Sequence, residues 1–460
     1  MAIFKNTDTD MTQGPIFRQL LIFSLPLLVG NLLQQLYNTV DSIITGIYIG
    51  KDALAAIGCT TPVTNMLIGF FLGFSSGAGV IISQYFGARL YTALKKAVQT
   101  AVSLTLLLGA ALSLLGIALS RFLLTTMQTP DDILPQALRY LQIYFMGLPS
   151  LLIYNIGSGI LRAVGDSKRP LLFLLFSSLS NIALDLLLVA VLRLGIAGAA
   201  IATVIAQTLS AALVLWTLTK EAKPYAIVWH GLALDRQSLR QIWSLGIPTA
   251  LQLTISSISS VFVQSYINYF GTDCMAGWTS YSRLDSLVLL PIFSFSMAAT
   301  TFVGQNLGVQ QIDRAMHGTR TALRLSFLST MVLMIPLMLA TPSLVALFNP
   351  DAEVVRYGSF FVRLISPSYF FVCINQVIAG VLRGAGDARH GLLFSLGTSV
   401  VLRQIYLFFA FRTFKSVLSV ALGFPLAWFF CAIISLLYYR SGKWQTYAPV
   451  RSSQPSSTGK

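Results

Sequence analysis

Apolar stretches of about 20 residues recur along the whole of this chain, and that recurrence restricts its fold more than any motif does. Ala97 to Leu119, Pro170 to Leu192 and Leu325 to Leu344 each match a hydrocarbon layer roughly 30 Å thick at about 1.5 Å of rise per residue. Backbone groups inside such a layer have no water to bind, so the stretches must be helices. The pattern predicts twelve, over 16–45, 54–84, 97–119, 133–160, 170–192, 197–219, 241–270, 277–305, 325–345, 353–380, 391–411 and 416–439. Hydrophobic residues make up 55% of the 460 and charged residues only 10%, too few to clothe a globule in water. The expected fold class is all-α and polytopic, with lipid around it.

The run from Leu20 to Gly30 leads straight into Asn31, Gln34, Asn38 and Asp41 without a small-residue cleavage site, so it reads as part of the first mature helix. Cys59, Cys274, Cys373 and Cys431 lack the paired spacing of zinc or redox motifs and are expected to pack in the interior. A net charge of +15 raises the question of nucleic acid, yet most of the 31 Lys and Arg fall on one side of the predicted spans. By the positive-inside rule that side, with both termini, is cytoplasmic, and the basic balance needs no nucleic-acid partner. His230, His317 and His390 all fall in predicted cytoplasmic loops, with no motif for metal or nucleophilic chemistry around them, so neither an enzyme nor a cofactor is expected.

An internal repeat then halves the problem. A shift of 221 residues sets Gly159-Ile-Leu-Arg-Ala-Val-Gly-Asp166 over Gly380-Val-Leu-Arg-Gly-Ala-Gly-Asp387, and Gln84-Tyr-Phe-Gly87 over Gln305-Asn-Leu-Gly308. With a slip of one residue, Ser24-Leu-Pro26 meets Gly246-Ile-Pro248. A duplicated six-helix unit returns the chain to its starting side, so the copies are parallel repeats related by a pseudo-two-fold axis along the membrane normal. The expected organisation is a cytoplasmic tail over 1–15, an N-terminal lobe over 16–219, a linker over 220–240, a C-terminal lobe over 241–440 and a disordered tail over 441–460. In the repeated Leu-Arg-x-x-Gly-Asp turns, Gly permits a tight turn and Asp caps the following helix.

Ionisable groups inside a membrane are costly and usually functional. Asp41 and Asp185 are the acids predicted well inside helices, with Asp285 nearer an outer end. Asn31, Gln34, Asn38, Asp41 and Thr45 recur at steps of three and four and form one polar stripe on the first helix, with Tyr37 one turn before Asp41. Asn181 and Asp185 share a face of the fifth helix. Apart from Arg18 and Arg139 near helix ends, no Lys or Arg lies within the predicted spans of this half to neutralise these acids. Such polar groups can tie helices together; carboxyls placed this way can also bind and release a proton, or hold Na⁺ with neighbouring oxygens. Pro26 should kink or break the first helix beside the stripe. The seventh helix carries Pro248, Gln252, Ser256, Ser260 and Gln264 but no acid, so its polar groups are expected to contact substrate or pack helices. Arg403, inside the eleventh helix, is expected to snorkel outward or pair with an acid such as Asp285.

Together these residues resemble the multidrug and toxic compound extrusion (MATE) family, in its DinF-like prokaryotic branch, over roughly residues 14–440. The resemblance rests on Pro26 and Asp41, Gln84-Tyr-Phe-Gly87, Leu161-Arg-Ala-Val-Gly-Asp166, Asn181 with Asp185, Arg283-Leu-Asp285, Val303-Gly-Gln-Asn-Leu-Gly308 and Leu382-Arg-Gly-Ala-Gly-Asp387. It implies a V-shaped pair of six-helix bundles in a bacterial inner membrane, acting as a monomer and exporting cationic or amphipathic compounds in exchange for H⁺ or Na⁺. It also implies a cation-coupling set of Asp41, Asp185, Asn181, Tyr37 and Thr203; apart from the resemblance, the polar stripes of the first and seventh helices make Gln34, Asn38, Gln252, Ser256 and Gln264 the candidate substrate contacts. Another branch of the family carries acids in helices 7 and 10, and this chain lacks them at the matching stretches. The competing reading is a flippase for lipid-linked precursors, but those proteins line their cavity with basic residues, and only Arg403 is strongly intramembrane here. A channel is disfavoured because duplicated lobes suit alternating access.

Overall fold

The computed structural model describes residues 9–220 and 223–447, the side chains of 256–258 excepted. Among these residues, twelve helices are long and apolar enough to cross a membrane. They are α1 (Ile16–Tyr48), α2 (Lys51–Gly87), α3 (Tyr91–Thr126), α4 (Leu134–Ala163), α5 (Lys168–Val191), α6 (Ile196–Lys220), α7 (Arg236–Asn268), α8 (Thr272–Gly308), α9 (Ile312–Leu339), α10 (Ala352–Ala385), α11 (Ala388–Phe414) and α12 (Val417–Arg440). The all-α, two-lobe expectation holds. Most helices run past the apolar stretches that announced them. α9 starts at Ile312 rather than 325, because Arg314, Arg320 and Arg324 extend its first turns instead of forming a loop. His317 and His390 accordingly sit on helices, not in loops.

The chain divides into two compact units. One is made chiefly of Val29–Trp243, the other of Asp10–Leu28 together with the chain from Ser244 onward. α1 therefore begins in the second unit and ends in the first. The change of unit comes two residues after Pro26, yet α1 is one uninterrupted helix, so of the kink or break expected at that proline the break is absent. The opening segment is part of the second unit's interior: Met11, Leu20, Phe23 and Leu27 pack with Phe295, Phe302, Val377 and Val381. Met11 N donates to Gln305 Oε1 at 2.9 Å and Asn306 Nδ2 donates to the Met11 carbonyl at 3.1 Å.

Within the first unit α4 is central, packed against α2, α3 and α6; in the second, α8 packs against α9 and α10. The duplication survives at the level of single atoms. Ser75 Oγ on α2 donates to the Asn155 carbonyl on α4 at 2.8 Å, and Ser296 Oγ on α8 donates to the Gln376 carbonyl on α10 at 2.5 Å. These crossings are tight enough to require glycine. A Cβ on Gly159 would stand 2.5 Å from Ser75 Oγ, and one on Gly380 would stand 2.4 Å from the Ser296 carbonyl oxygen.

The turns before α5 and α11 also correspond. Gly165 and Gly386 have φ of 90° and 94°, the left-handed region that favours glycine. Asp166 Oδ1 accepts from Lys168 N at 3.0 Å and Arg169 N at 3.1 Å, and Asp387 Oδ1 accepts from His390 N at 3.5 Å. Asp166 then pairs with the Arg169 guanidinium at 3.2 Å, both fully buried. At the matching place Asp387 meets His390 Nδ1 at 2.7 Å and accepts from Tyr438 at 2.6 Å. Cys274, Cys373 and Cys431 are buried and unbridged, as a packing role requires, and Cys59 is half-buried. Past α12, Trp444 is fully buried and stacks on Tyr439 with centroids 5.3 Å apart. The tail expected to be disordered from Ser441 is therefore structured through Tyr447; the rest of that expectation, residues 448–460, lies outside the described residues.

Candidate functional site

The polar stripe of α1 reaches its partners because its apolar neighbours dock on two other helices of the same unit. Val40 and Ile44 of α1, with Ile49 just beyond its end, pack with Ile182 and Val189 of α5 and Ala199 of α6. Branched side chains on both sides fix this register with little rotamer freedom to lose. Asp41, next to Val40, is thereby held against Asp185, close enough for the two carboxyls to share a hydrogen bond. Asp185 and Asn181 are fully buried and Thr203 is 5% exposed. Directly after Asp185 the helix widens into a π-type stretch over Leu186–Val191, a local irregularity often found at functional sites.

Most of the polar atoms collected here have no hydrogen-bond partner among the described residues. Asp41 Oδ1, both oxygens of Asp185, both polar atoms of Asn181 and Thr45 Oγ1 are buried without a hydrogen-bond partner. Two ionised carboxylates only accept, so their approach becomes a hydrogen bond only when one of them carries a proton. Neither acid pairs with a Lys or Arg among the described residues. A set of unsatisfied oxygens around two acids is suited to a proton or to a hard cation. No group of three or more His, Cys, Asp or Glu with metal-site geometry occurs among the described residues.

The remaining expected residues divide between the units. Tyr37 hydrogen-bonds to Thr203 and lies in the electrostatic neighbourhood of both acids. Gln34 and Asn38 are exposed, and the Asn38 backbone carbonyl accepts from Ser42 Oγ at 2.9 Å. Gln252 and Gln264 belong to α7 in the second unit, Gln264 Nε2 donating to Asn268 Oδ1 at 2.8 Å. The Ser256 side chain lies outside the described residues. Pro26 is in the second unit, fifteen residues before Asp41 along α1.

The sequence reading missed two tyrosines of α4. Tyr140 and Tyr144 are buried, stack with centroids 6.4 Å apart, and Tyr140 lies near Asp41, Asp185 and Tyr37. Tyr144 hydrogen-bonds to Gln207 of α6. Their spacing of four on one helix face is a visible signal. The expected outward snorkelling of Arg403, or its pairing with Asp285, is not observed. Arg403 is buried at 6% exposure and donates to Ser259, while Asp285 accepts from Tyr281 at 3.2 Å and from Tyr369.

Known proteins resemble this chain over most of its length. A family model described as MatE matches residues 26–187 and 248–409, one match in each half. The probable multidrug resistance protein YpnP of Bacillus subtilis is 32% identical over 442 residues, which cover 95% of this chain and 97% of that protein. The FAD transporter of Shewanella oneidensis is 27% identical over 405 residues, 85% of this chain and 87% of that one. A solved structure described as the outward-facing conformation of a multidrug resistance MATE family transporter of the MOP superfamily matches with a TM-score of 0.89. At 22% identity, covering 97% of this chain and 99% of that one, it establishes likeness of fold.

Proposed function

This chain belongs to the MatE family, the multidrug and toxic compound extrusion transporters, and from that premise we propose that it is a secondary active antiporter. It exports small cationic or amphipathic organic compounds in exchange for H⁺, with Asp41 and Asp185 as the coupling site. It is a multi-pass membrane transporter and not an enzyme. The observation that carries the reading is the approach of the Asp41 and Asp185 carboxyls, Asp185 fully buried and Asp41 half-buried, with no Lys or Arg paired to either among the described residues.

Without a proton or cation between them the two charges repel at short range in a medium that screens poorly. Capture of one proton turns that repulsion into a hydrogen bond and draws α1 toward α5. Release reverses it. Tyr37, Thr203 and Asn181 surround the pair and set its position, and Pro26, lacking an amide proton, is the point of α1 where such a movement is least resisted. Coupling follows when the protonated and deprotonated arrangements favour opposite openings of the transport path. Gln34 and Asn38, with Gln252, Ser256 and Gln264 of α7, supply amide and hydroxyl contacts for substrate. The Lys and Arg bias puts both termini in the cytoplasm of a bacterial cell and the chain in its inner membrane; one chain carries the full set of groups and acts as a monomer.

Purified protein in liposomes tests this, with a pH gradient and a Na⁺ gradient imposed separately. Ethidium export should follow the pH gradient. Asp41→Asn and Asp185→Asn should each lower gradient-driven export about tenfold or more, while ethidium binding at equilibrium changes far less. Unimpaired export by Asp41→Asn discards the coupling site. Export driven by Na⁺ alone replaces the proton with Na⁺ at the same oxygens, and translocation of a lipid-linked sugar in place of ethidium makes the protein a flippase.

A further inference from the structure

The second unit holds a buried charge that coupling at Asp41 and Asp185 does not use. Arg403 of α11 is 6% exposed, and a guanidinium in a membrane span is costly to bury without an anion beside it. Its Nη2 donates to Ser259 Oγ at 2.6 Å, its central carbon lies 4.8 Å from the centroid of the Phe424 ring, and its Nε has no partner. Gln404 Nε2 reaches the same serine, at 3.3 Å from Oγ and 3.4 Å from the carbonyl oxygen. Ser259 gives its own proton to the Ser399 carbonyl at 3.2 Å. No acid pairs with Arg403 among the described residues.

The repeat shows what this cluster corresponds to. In the register that sets Pro248 over Pro26, Ser259 is the counterpart of Tyr37. In the register of the Gly-Asp turns, Phe424 is the counterpart of Thr203, and Arg403 falls within one residue of the counterpart of Asn181. The crossing of first, fifth and sixth helices that gathers acids and oxygens in one unit therefore gathers a cation and N–H donors in the other.

We propose that Arg403, Ser259 and Gln404 form an anion-binding site that takes a carboxylate or phosphate group on the exported compound. The proposal rests on the exporter reading above and extends its substrates to acid-bearing and zwitterionic amphiphiles. Stacking on Phe424 occupies the face of the guanidinium, so an oxyanion binds at its edge, where Nε lacks an acceptor. The Gln404 amide supplies a further donor, and Ser259 holds both side chains in place. Lysine offers no planar edge and would not replace Arg403 here.

A rhodamine free acid and its methyl ester differ only in the carboxylate, and their binding to the full chain in detergent is read by fluorescence polarisation. Wild type should bind the free acid more tightly than the ester; Arg403→Gln should weaken the free acid about tenfold or more and the ester less than about twofold. Ser259→Ala, a milder change, should weaken the free acid about threefold with the ester unaffected. Unchanged free-acid binding in Arg403→Gln, or equal weakening of both probes in both variants, overturns the proposal. Inorganic phosphate should displace the free acid only at concentrations far above that of the probe; phosphate binding as tight as the probe makes free phosphate the ligand and overturns the assignment to the exported compound. If wild type in liposomes exports neither rhodamine, the exporter reading fails, while the binding comparison still decides whether an anion site exists.

Discussion

The crossing of α1 with α5 and the crossing of α7 with α11 descend from one duplicated segment, yet they bury opposite charge. In the first unit Asp41 meets Asp185; in the second, Arg403 lies against Ser259 and Phe424. Elsewhere in the two units matching contacts are kept, as the Ser75–Asn155 hydrogen bond between α2 and α4 and the Ser296–Gln376 hydrogen bond between α8 and α10 show. Duplication has thus preserved how the helices cross while freeing the few side chains at the crossing to take different chemical roles. The same separation appears in the turns before α5 and α11, where Asp166 meets the fully buried guanidinium of Arg169 and Asp387 meets the partly exposed imidazole of His390.

That last contrast gives the largest difference in stability. Asp166→Ala takes the carboxylate from a fully buried guanidinium and should cost about 3–5 kcal/mol. Asp387→Ala should cost nearer 1–3 kcal/mol, roughly the loss of its hydrogen bonds to Tyr438 and His390, because the His390 side chain is 33% exposed and reaches water. Thermal melts of the two variants in detergent measure this, and equal losses would erase the distinction between the turns. Next in size are the close crossings. Gly380→Ala pushes a methyl group against the backbone oxygen of Ser296, whereas Gly159→Ala meets the Ser75 hydroxyl, which can rotate. The first should cost about 2–3 kcal/mol and the second about 1 kcal/mol. A reversed order would show that the crossing in the first unit is the more rigid.

The smallest effect concerns the opening of α7. Asp235 accepts from Ser238 N and Ser238 Oγ, each at 2.9 Å. These bonds, that to the Ser238 backbone first, with nearby Lys96, hold its carboxyl below the usual range. Because the folded value lies below the unfolded one, the stabilisation is present at neutral pH and is lost as pH falls through the folded value. Asp235→Ala should cost about 1 kcal/mol at neutral pH, and Asp235→Asn should keep the cap while removing its acid sensitivity. A melt with the same pH dependence in Asp235→Asn as in wild type would remove Asp235 from that account.

Twelve helices were legible because a lipid interior leaves the backbone one solution, so the apolar stretches had to be helical. The start of α9 was not, since Arg314, Arg320 and Arg324 look like a loop to any reading based on polarity, although helix propensity permits them. Asp41 and Asp185 stood out as acids in apolar surroundings. Tyr140 and Tyr144 did not, because aromatic residues are common in such spans and only their position beside the acids gives them meaning. Arg403 was conspicuous but its setting was hidden: Ser259 and Phe424 come from helices remote in sequence, and nothing local to α11 announces them.

Because Asp10–Leu28 belongs to the interior of the second unit, the order of synthesis and the order of packing cannot coincide. Met11 to Leu27 have their final neighbours, Phe295 through Val381, about 270 to 370 residues downstream. At roughly 5–20 residues per second the segment waits on the order of tens of seconds for them. During that interval the start of α1 lies in lipid with its apolar side chains unmatched, a natural target for insertion factors and the place where an amino-terminal tag or deletion would disturb maturation of the carboxy-terminal half.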